Sequence, residues 1–193
     1  MDTDKLQLGA GSALLSGWIN TDIDLDGNSS YLDVTKPFPF DDDTFRYVFC
    51  EHLIEHLSYQ EGLFMLRECR RVLRSGGILR VATPDLAQLL GLFNNKLSQI
   101  QRRYIKYLTD NYAPDTNYRP CHVINIAFRT WGHQFIYDEV TLGDALIKAG
   151  FTKALVYDVG DSDDSNLVGI EMHGKTIRDE ELNMFETMVF EAS

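Results

Sequence analysis

The chain has 193 residues, 44% hydrophobic and 24% charged, the composition of one ordinary globular domain (1–193) large enough to bury a core. A net charge of −11 argues against nucleic acid or an anionic membrane as partner, since both are bound by clustered Lys and Arg. No apolar run approaches the roughly 18 residues of a membrane span, and MDTDKLQL lacks the basic flank and apolar core of a signal peptide, so a cytoplasmic location is expected.

Strands and helices alternate along the first half. Lys5–Leu8 reads as a strand that breaks into Gly9-Ala10-Gly11-Ser12. Trp18–Ile23 reads as a second strand, with Asp22, Asp24 and Asp26 at its end. A third run at Tyr31-Leu32 ends at Asp33, the Pro- and Asp-rich KPFPFDDDTF follows, and Arg46–Cys50 is a fourth strand. Ser58 and Glu61 form a capping box that opens a helix with Leu63, Leu66, Arg70, Val72 and Leu73 on one stripe. Gly76-Gly77 is expected to close it, and Ile78–Thr83 is a fifth strand stopped by Pro84. The basic groups Arg67-Arg70-Arg71-Arg74 and Arg102-Arg103-Lys106 fall at helical spacing and read as solvated faces.

The pattern changes over about 86–137. Helical segments at Leu86–Phe93 and Lys96–Leu108 lead into a loop rich in Tyr, Asn and Pro, then into FRTWGHQFIY. A long insertion of this kind is expected to be a helical and aromatic lid. Asp138 caps a helix carrying Val140, Leu142, Leu146 and Ile147, which Gly150 closes. Ala154–Val159 and Leu167–Met172 read as a sixth and seventh strand forming an antiparallel hairpin. The tail reads as a helix with Leu182, Phe185, Met188 and Val189 on one face. The expected fold is α/β and Rossmann-like: a seven-stranded, mostly parallel sheet with an antiparallel C-terminal hairpin and the lid insertion.

In such a sheet, ligands bind at the carboxyl ends of the strands. Gly9 and Gly11 let backbone approach a ligand, and an acid ending the next strand can accept from two ribose hydroxyls; spacing alone does not choose between Asp22 and Asp24. The dinucleotide fingerprint GxGxxG places its acid ~20 residues on. Here Leu14 stands at the third glycine and Asp22 follows Gly9 by 13 residues, which disfavours NAD and favours a nucleoside without phosphates. Asp33 can accept from an adenine amino group or start a turn. Cys50-Glu51-His52-Leu53-Ile54-Glu55-His56 contains two EH pairs four apart. HLIEH is not the HExxH of zinc proteases, and Cys50, Cys69 and Cys121 are an odd, scattered set, so neither a metal nor a disulfide is expected. Glu51 and His52 fall in the cleft, and His56 reads as structural.

Taken in order, these stretches resemble the class I S-adenosylmethionine-dependent methyltransferases, in particular the small bacterial, type 11-like kind with a short first crossover. LQLGAGS is similar to the family's first motif and INTDI to the strand whose acid, here Asp22, holds the ribose. LDVTKPFPFDDDTFRYVFCEHLIEHL and RECRRVLRSGGILRVATPDL are similar to the segments around the third to fifth strands. The resemblance is dense over 5–85 and thinner over 122–173, where GHQFIYDEVTLGDALIKAGF looks like the last helix. Gln7 stands where the family has an acid, and the third glycine is Ala13 or absent.

The resemblance implies S-adenosylmethionine as cofactor, held around Gln7, Gly9, Ala10, Gly11, Asp22, Asp33, Val34, Cys50 and Glu51. It implies methyl transfer to a small-molecule or saccharide-like acceptor, with His52, then His133, then His122 as candidate bases. Gln7 and Ala13 motivate an alternative, a non-catalytic cofactor-binding or scaffold protein; a nicotinamide oxidoreductase is the third reading. The short crossover is expected to leave an apolar face around Leu14, Leu15 and Trp18 that a second copy would cover in a homodimer.

Overall fold

A computed structural model describes residues 3–24 and 29–193, so Met1, Asp2 and Asp26 lie outside the described residues. One seven-stranded sheet organises the chain, in the order β3-β2-β1-β4-β5-β7-β6. The strands are β1 (Lys5–Leu8), β2 (Ile19–Asp22), β3 (Ser30–Tyr31), β4 (Phe45–Glu51), β5 (Leu73–Pro84), β6 (Ala154–Tyr157) and β7 (Thr187–Ala192). The first five are mutually parallel, and β7 runs antiparallel to both β5 and β6.

The expected seventh strand is therefore in the wrong place. Leu167–Met172 contains no strand; the seven-stranded sheet and its antiparallel C-terminal pair form as expected, but the tail supplies β7, folding back between β5 and β6. A strand paired on both edges and covered on both faces buries every residue, as β7 does. Its unbroken TMVF run carries no period-2 signal, so Met188 and Val189 look like part of a helical stripe. The tail helix is only α7 (Glu180–Glu186), preceded by the short α6 (His173–Ile177).

One face of the sheet is apolar and covered by helices. Leu6, Leu8, Val48, Cys50, Leu79, Val81 and Phe190 pack beneath α1 (Tyr59–Val72) and α5 (Glu139–Ala149) through Leu63, Leu66, Leu142 and Leu146. The Ser58–Glu61 capping box and the Asp138 and Gly150 caps form as expected. Gly76-Gly77 does not cap α1, which ends at Val72 with Leu73 already extended. The pair instead turns the chain inside β5, between Leu73 opposite Phe45 and Ile78 opposite Tyr47. Gly76 has φ +71°, and a Cβ on Gly77 would lie 3.0 Å from the carbonyl oxygens of Arg46 and Arg74.

The other face carries a polar strap, residues 158–172. Asp164 accepts from the Tyr47 hydroxyl at 2.8 Å, and Lys5 donates to Asn166 at 2.9 Å. Arg80, fully buried, pairs with Glu171 of the strap and with Glu191 of β7 at 2.6 Å, and donates to the Asp161 carbonyl at 2.9 Å. Removing one member of such a buried set costs about 3–5 kcal/mol, because it leaves an uncompensated charge. Leu14, Leu15 and Trp18 are half-buried, with Trp18 edge-on to Phe49.

Between β5 and β6 the insertion forms α2 (Leu86–Gly91), α3 (Gln99–Tyr112) and α4 (Pro120–Arg129), followed by α5. α4 occupies what reads as loop: Pro120 sits at its first turn and Val123, Ile126 and Ala127 make a buried stripe. These helices share a second small core with Leu182 of α7. Segments 85–138 and 173–186 thus both rise over the carboxyl edge of the sheet. No helix among the described residues is long and apolar enough to cross a membrane.

Candidate active site

Two spaces open at that edge. The first is a cleft of ≈ 170 Å³ at the ends of β1 and β4, bordered by Gln7, Gly9, Ala10, Ala13, Glu51 and His52, with His173 and Thr176 of α6 above. Gly9 has φ +62°, and a Cβ there would meet Leu53 at 2.9 Å, so both the turn and its packing require glycine. The Gly11 N–H donates to Asp22 Oδ2 at 2.7 Å and the Asp24 N–H to Asp22 Oδ1 at 2.9 Å. Asp22, not Asp24, is therefore the acid folded against the glycine turn. Each of its oxygens retains a second lone pair, and the residue is half-buried, which fits two further bonds from a ribose.

The remaining cofactor-side candidates divide by what their side chains touch. Asp33 Oδ1 accepts from the Thr35 hydroxyl at 2.6 Å and N–H at 2.9 Å, which hold its carboxyl below the usual range and leave Oδ2 outside these bonds. Gln7 spends both amide ends on the loop: Nε2 donates to the Ala13 carbonyl at 2.9 Å and Oε1 accepts from Leu15 N–H at 3.1 Å. Glu51 accepts from the Met172 and His173 N–H groups at 2.8 and 3.0 Å, bracing the start of α6. Val34 and Cys50 turn into the helix-side core, where burial pushes the Cys50 thiol far up.

The second space is a cavity of ≈ 320 Å³ between the two insertions. Leu89, Tyr104, Tyr107, Leu108, Tyr112, Trp131, Ile136 and Ile177 form its apolar, aromatic walls. Its floor is His52, Glu55, His56, His133, His173 and Glu186. His52, His173 and Thr176 border both spaces, so they stand where the two meet. His122, on α4, borders neither.

The two imidazoles at the junction stack at 3.7 Å. His52 adopts a left-handed φ of +47°, uncommon for a non-glycine residue. Its Nε2 lies 3.2 Å from the Thr187 hydroxyl, and its Nδ1 3.3 Å from Glu55 Oε1. Burial pushes the His52 pKa down, but contact with Glu55 and the charges of Glu186 and Glu51 outweigh it, and the net shift is upward. Burial would raise the Glu55 carboxyl; His52 overcomes that and holds it low. His173 Nε2 bonds Glu186 Oε1 at 2.9 Å, and this bond with the neighbouring imidazoles likewise overrides the burial that would raise Glu186. His133 is lowered, chiefly by burial, and its Nδ1 bonds the Ala127 carbonyl at 2.7 Å.

His173, Glu186, Glu55 and the tyrosines of α3 are absent from the sequence-based set of candidates. His173 and Glu186 sit more than 120 residues from His52, on a segment that reads as strand, turn and tail. Only the repeated EH pair carries a local signal, and it points at Glu55 and His56.

Known proteins share the fold that frames these spaces. Residues 26–81 match a family model described as a methyltransferase domain. No curated protein matches the chain. Among solved structures, a SAM-dependent methyltransferase from Archaeoglobus fulgidus aligns at 15% identity and TM-score 0.59, covering 98% of this chain and 85% of that one. One from Mesorhizobium loti aligns at 15% identity and TM-score 0.56, covering 99% and 90%. A Thermotoga maritima SAM-dependent methyltransferase, described as a possible histamine N-methyltransferase, aligns at 13% and 0.53, covering 100% and 82%. At such identities the likeness shows the fold. The domain match over 26–81 and the shared fold both accord with the resemblance to the class I S-adenosylmethionine-dependent methyltransferases.

Proposed function

We propose that the protein methylates a small acceptor with an apolar, ring-like body, seated in the cavity beneath Tyr104, Tyr107 and Trp131. The observation that carries this reading is the shared wall: His52, His173 and Thr176 border both the cofactor cleft and the cavity, so donor and acceptor meet across them. The Leu and Ile walls offer few partners for the hydroxyls of a saccharide, which favours a ring with one nucleophilic group.

When bound, the cofactor supplies a methyl group already activated on a sulfonium. Asp22 holds the ribose, Asp33 meets the adenine, and the loop kept in place by Gln7 encloses the methionine end. The protein's main contribution is then proximity and orientation, worth roughly 7–11 kcal/mol of barrier. An oxygen acceptor must also lose a proton as the new C–O bond forms and the C–S bond breaks. His173 is oriented by Glu186 and retains Nδ1 for that proton, whereas both nitrogens of His52 already have neighbours. His52, first among the sequence candidates, becomes the stacked partner that fixes His173. His133 is anchored to the Ala127 carbonyl.

Calorimetric titration with S-adenosylhomocysteine and with NAD tests the cofactor. Saturable heat from the first alone is expected; heat from NAD alone overturns the reading. Turnover on a panel of small hydroxylated aromatic acceptors, followed as S-adenosylhomocysteine release, tests the chemistry. His173→Ala is expected to lose turnover while keeping S-adenosylhomocysteine affinity. Tight cofactor binding without turnover on any acceptor favours the non-catalytic reading instead.

A further inference from the structure

The floor of the cavity contains two clusters, each of two histidines and one glutamate, and they differ in how their polar atoms are used. In the first, His173 Nε2 is spent on Glu186 Oε1 and His52 Nε2 on the Thr187 hydroxyl. In Glu55, His56 and His133 the donor atoms also lie within 4.8 Å of one another, yet Glu55 Oε1 is fully buried with no hydrogen-bond partner. It makes an ion contact with His52 Nδ1 at 3.3 Å, but no hydrogen bond. A buried carboxylate oxygen that accepts no hydrogen bond keeps lone pairs for a further ligand, and leaving them unused is costly.

The other two members are arranged as ligands are. The Ala127 carbonyl can only accept, so His133 Nδ1 carries the proton and Nε2 keeps its lone pair. A metal-binding histidine typically has its tautomer fixed by such a bond from its other ring nitrogen. Thr83 donates to Glu55 Oε2 at 3.0 Å, leaving Oε1 as the free atom. The backbone holds the three in register: Gln134 and Phe135 N–H groups donate to the Glu55 carbonyl, and the Gln134 side chain donates to the His56 carbonyl. The HLIEH spacing obscures this arrangement, since His52 and His56 belong to different clusters and the second nitrogen comes from the lid.

We propose that Glu55, His56 and His133 bind one divalent transition-metal ion of the zinc class, with its open coordination positions toward the acceptor cavity. Two imidazoles and one carboxylate suit zinc and its first-row neighbours, and three protein ligands leave room for an acceptor atom. The site does not depend on the methyl-transfer reading, because its test uses metal alone.

The full chain, stripped with a chelator and desalted, is titrated with Zn²⁺ in competition with a chromophoric chelator, and with Co²⁺ followed by its visible spectrum. One ion per chain is expected, with micromolar or tighter affinity. His56→Ala and His133→Ala are each expected to weaken binding ~100-fold or more. His133→Asn, which keeps a donor for the Ala127 carbonyl, should do the same without loosening the loop. His122→Ala should change nothing. S-adenosylhomocysteine binding reports that each variant is folded. No saturable binding, or unchanged affinity in folded His56 and His133 variants, overturns the site. So does loss in His173→Ala or Glu186→Gln alone, which assigns the metal to the other cluster.

Discussion

The cleft proposed for the cofactor and the cavity proposed for the acceptor lie side by side, share His52, His173 and Thr176, and are built on opposite plans. The cleft is made mostly from strand ends within the first 52 residues, with His173 and Thr176 above, and its chemistry is polar and local: a glycine turn, one carboxylate folded onto it, one amide holding the next loop. The cavity is made from residues spread from 52 to 186, most of them on the two insertions, and its walls are mostly side chains that would serve equally well in a core. A ligand shared by a whole family can be held by backbone and a few fixed carboxylates. An acceptor particular to one protein is met by surfaces that vary freely because the sheet does not depend on them.

The strongest way to separate the two is a crossed pair of substitutions. Asp22→Ala removes the proposed ribose acceptor and the tie to the Gly11 N–H, and should weaken S-adenosylhomocysteine by about 100-fold, or about 2.7 kcal/mol. Asp22→Asn, which keeps one acceptor, should lose less. Trp131→Ala strips a wall of the cavity and should raise the acceptor KM ~10-fold with cofactor affinity unchanged. If Trp131→Ala weakened the cofactor as much as Asp22→Ala does, the two spaces would be one site and the comparison would fail.

Gly9→Ala sharpens the cleft side. A left-handed backbone and a Cβ placed 2.9 Å from Leu53 should cost about 1–3 kcal/mol in denaturant unfolding and distort the turn. Gly11→Ala shares the backbone penalty, at φ +49°, but meets no atom within 4 Å. It should therefore cost less than Gly9→Ala.

The same contrast explains what the sequence discloses. Glycines at positive φ, an acid at a strand end and a capping box are single-residue requirements, visible wherever they occur. The parallel strands, α1 and α5 follow from them and from periodicity. The antiparallel β7 does not, because a strand buried on every side loses alternation, and LVGIEM imitates a strand through Leu167 and Glu171 facing inward on the strap. With β7 misplaced, the segment before it reads as tail, and His173 and Glu186 cannot be seen to reach the site. Glu55 and His56 were within sight in the EH repeat, but His133, which gives them meaning, comes from the lid and meets them only in three dimensions.

Acid sensitivity offers a test on the cavity side. The Glu186 carboxyl, bonded to His173 and beside His52 and Tyr104, is held below the ordinary 4.5. A carboxylate lowered by folding contributes stability that is complete above its unfolded value and is lost as pH falls through the folded one. The unfolding midpoint should therefore fall on acidification below about 4.5, and Glu186→Gln should flatten that part of the profile. An equal slope in both proteins would show that Glu186 contributes nothing to it.

The smallest effect belongs to the latch between the insertions. Arg103 on α3 pairs with Asp179 and Glu181 at the start of α7, above the packing of Tyr104 on Phe185. Exposed pairs of this kind contribute little to global stability, so Arg103→Ala should leave the unfolding midpoint nearly unchanged. The pairs nonetheless join the two walls of the cavity, and local opening is governed by the few contacts that cross such a seam. Amide exchange over 173–186 should quicken in the variant while β1, β4 and the glycine turn exchange as before. If exchange quickened equally at the glycine turn, opening of the cavity would be coupled to the cleft, and His173 would connect the two mechanically as well as chemically.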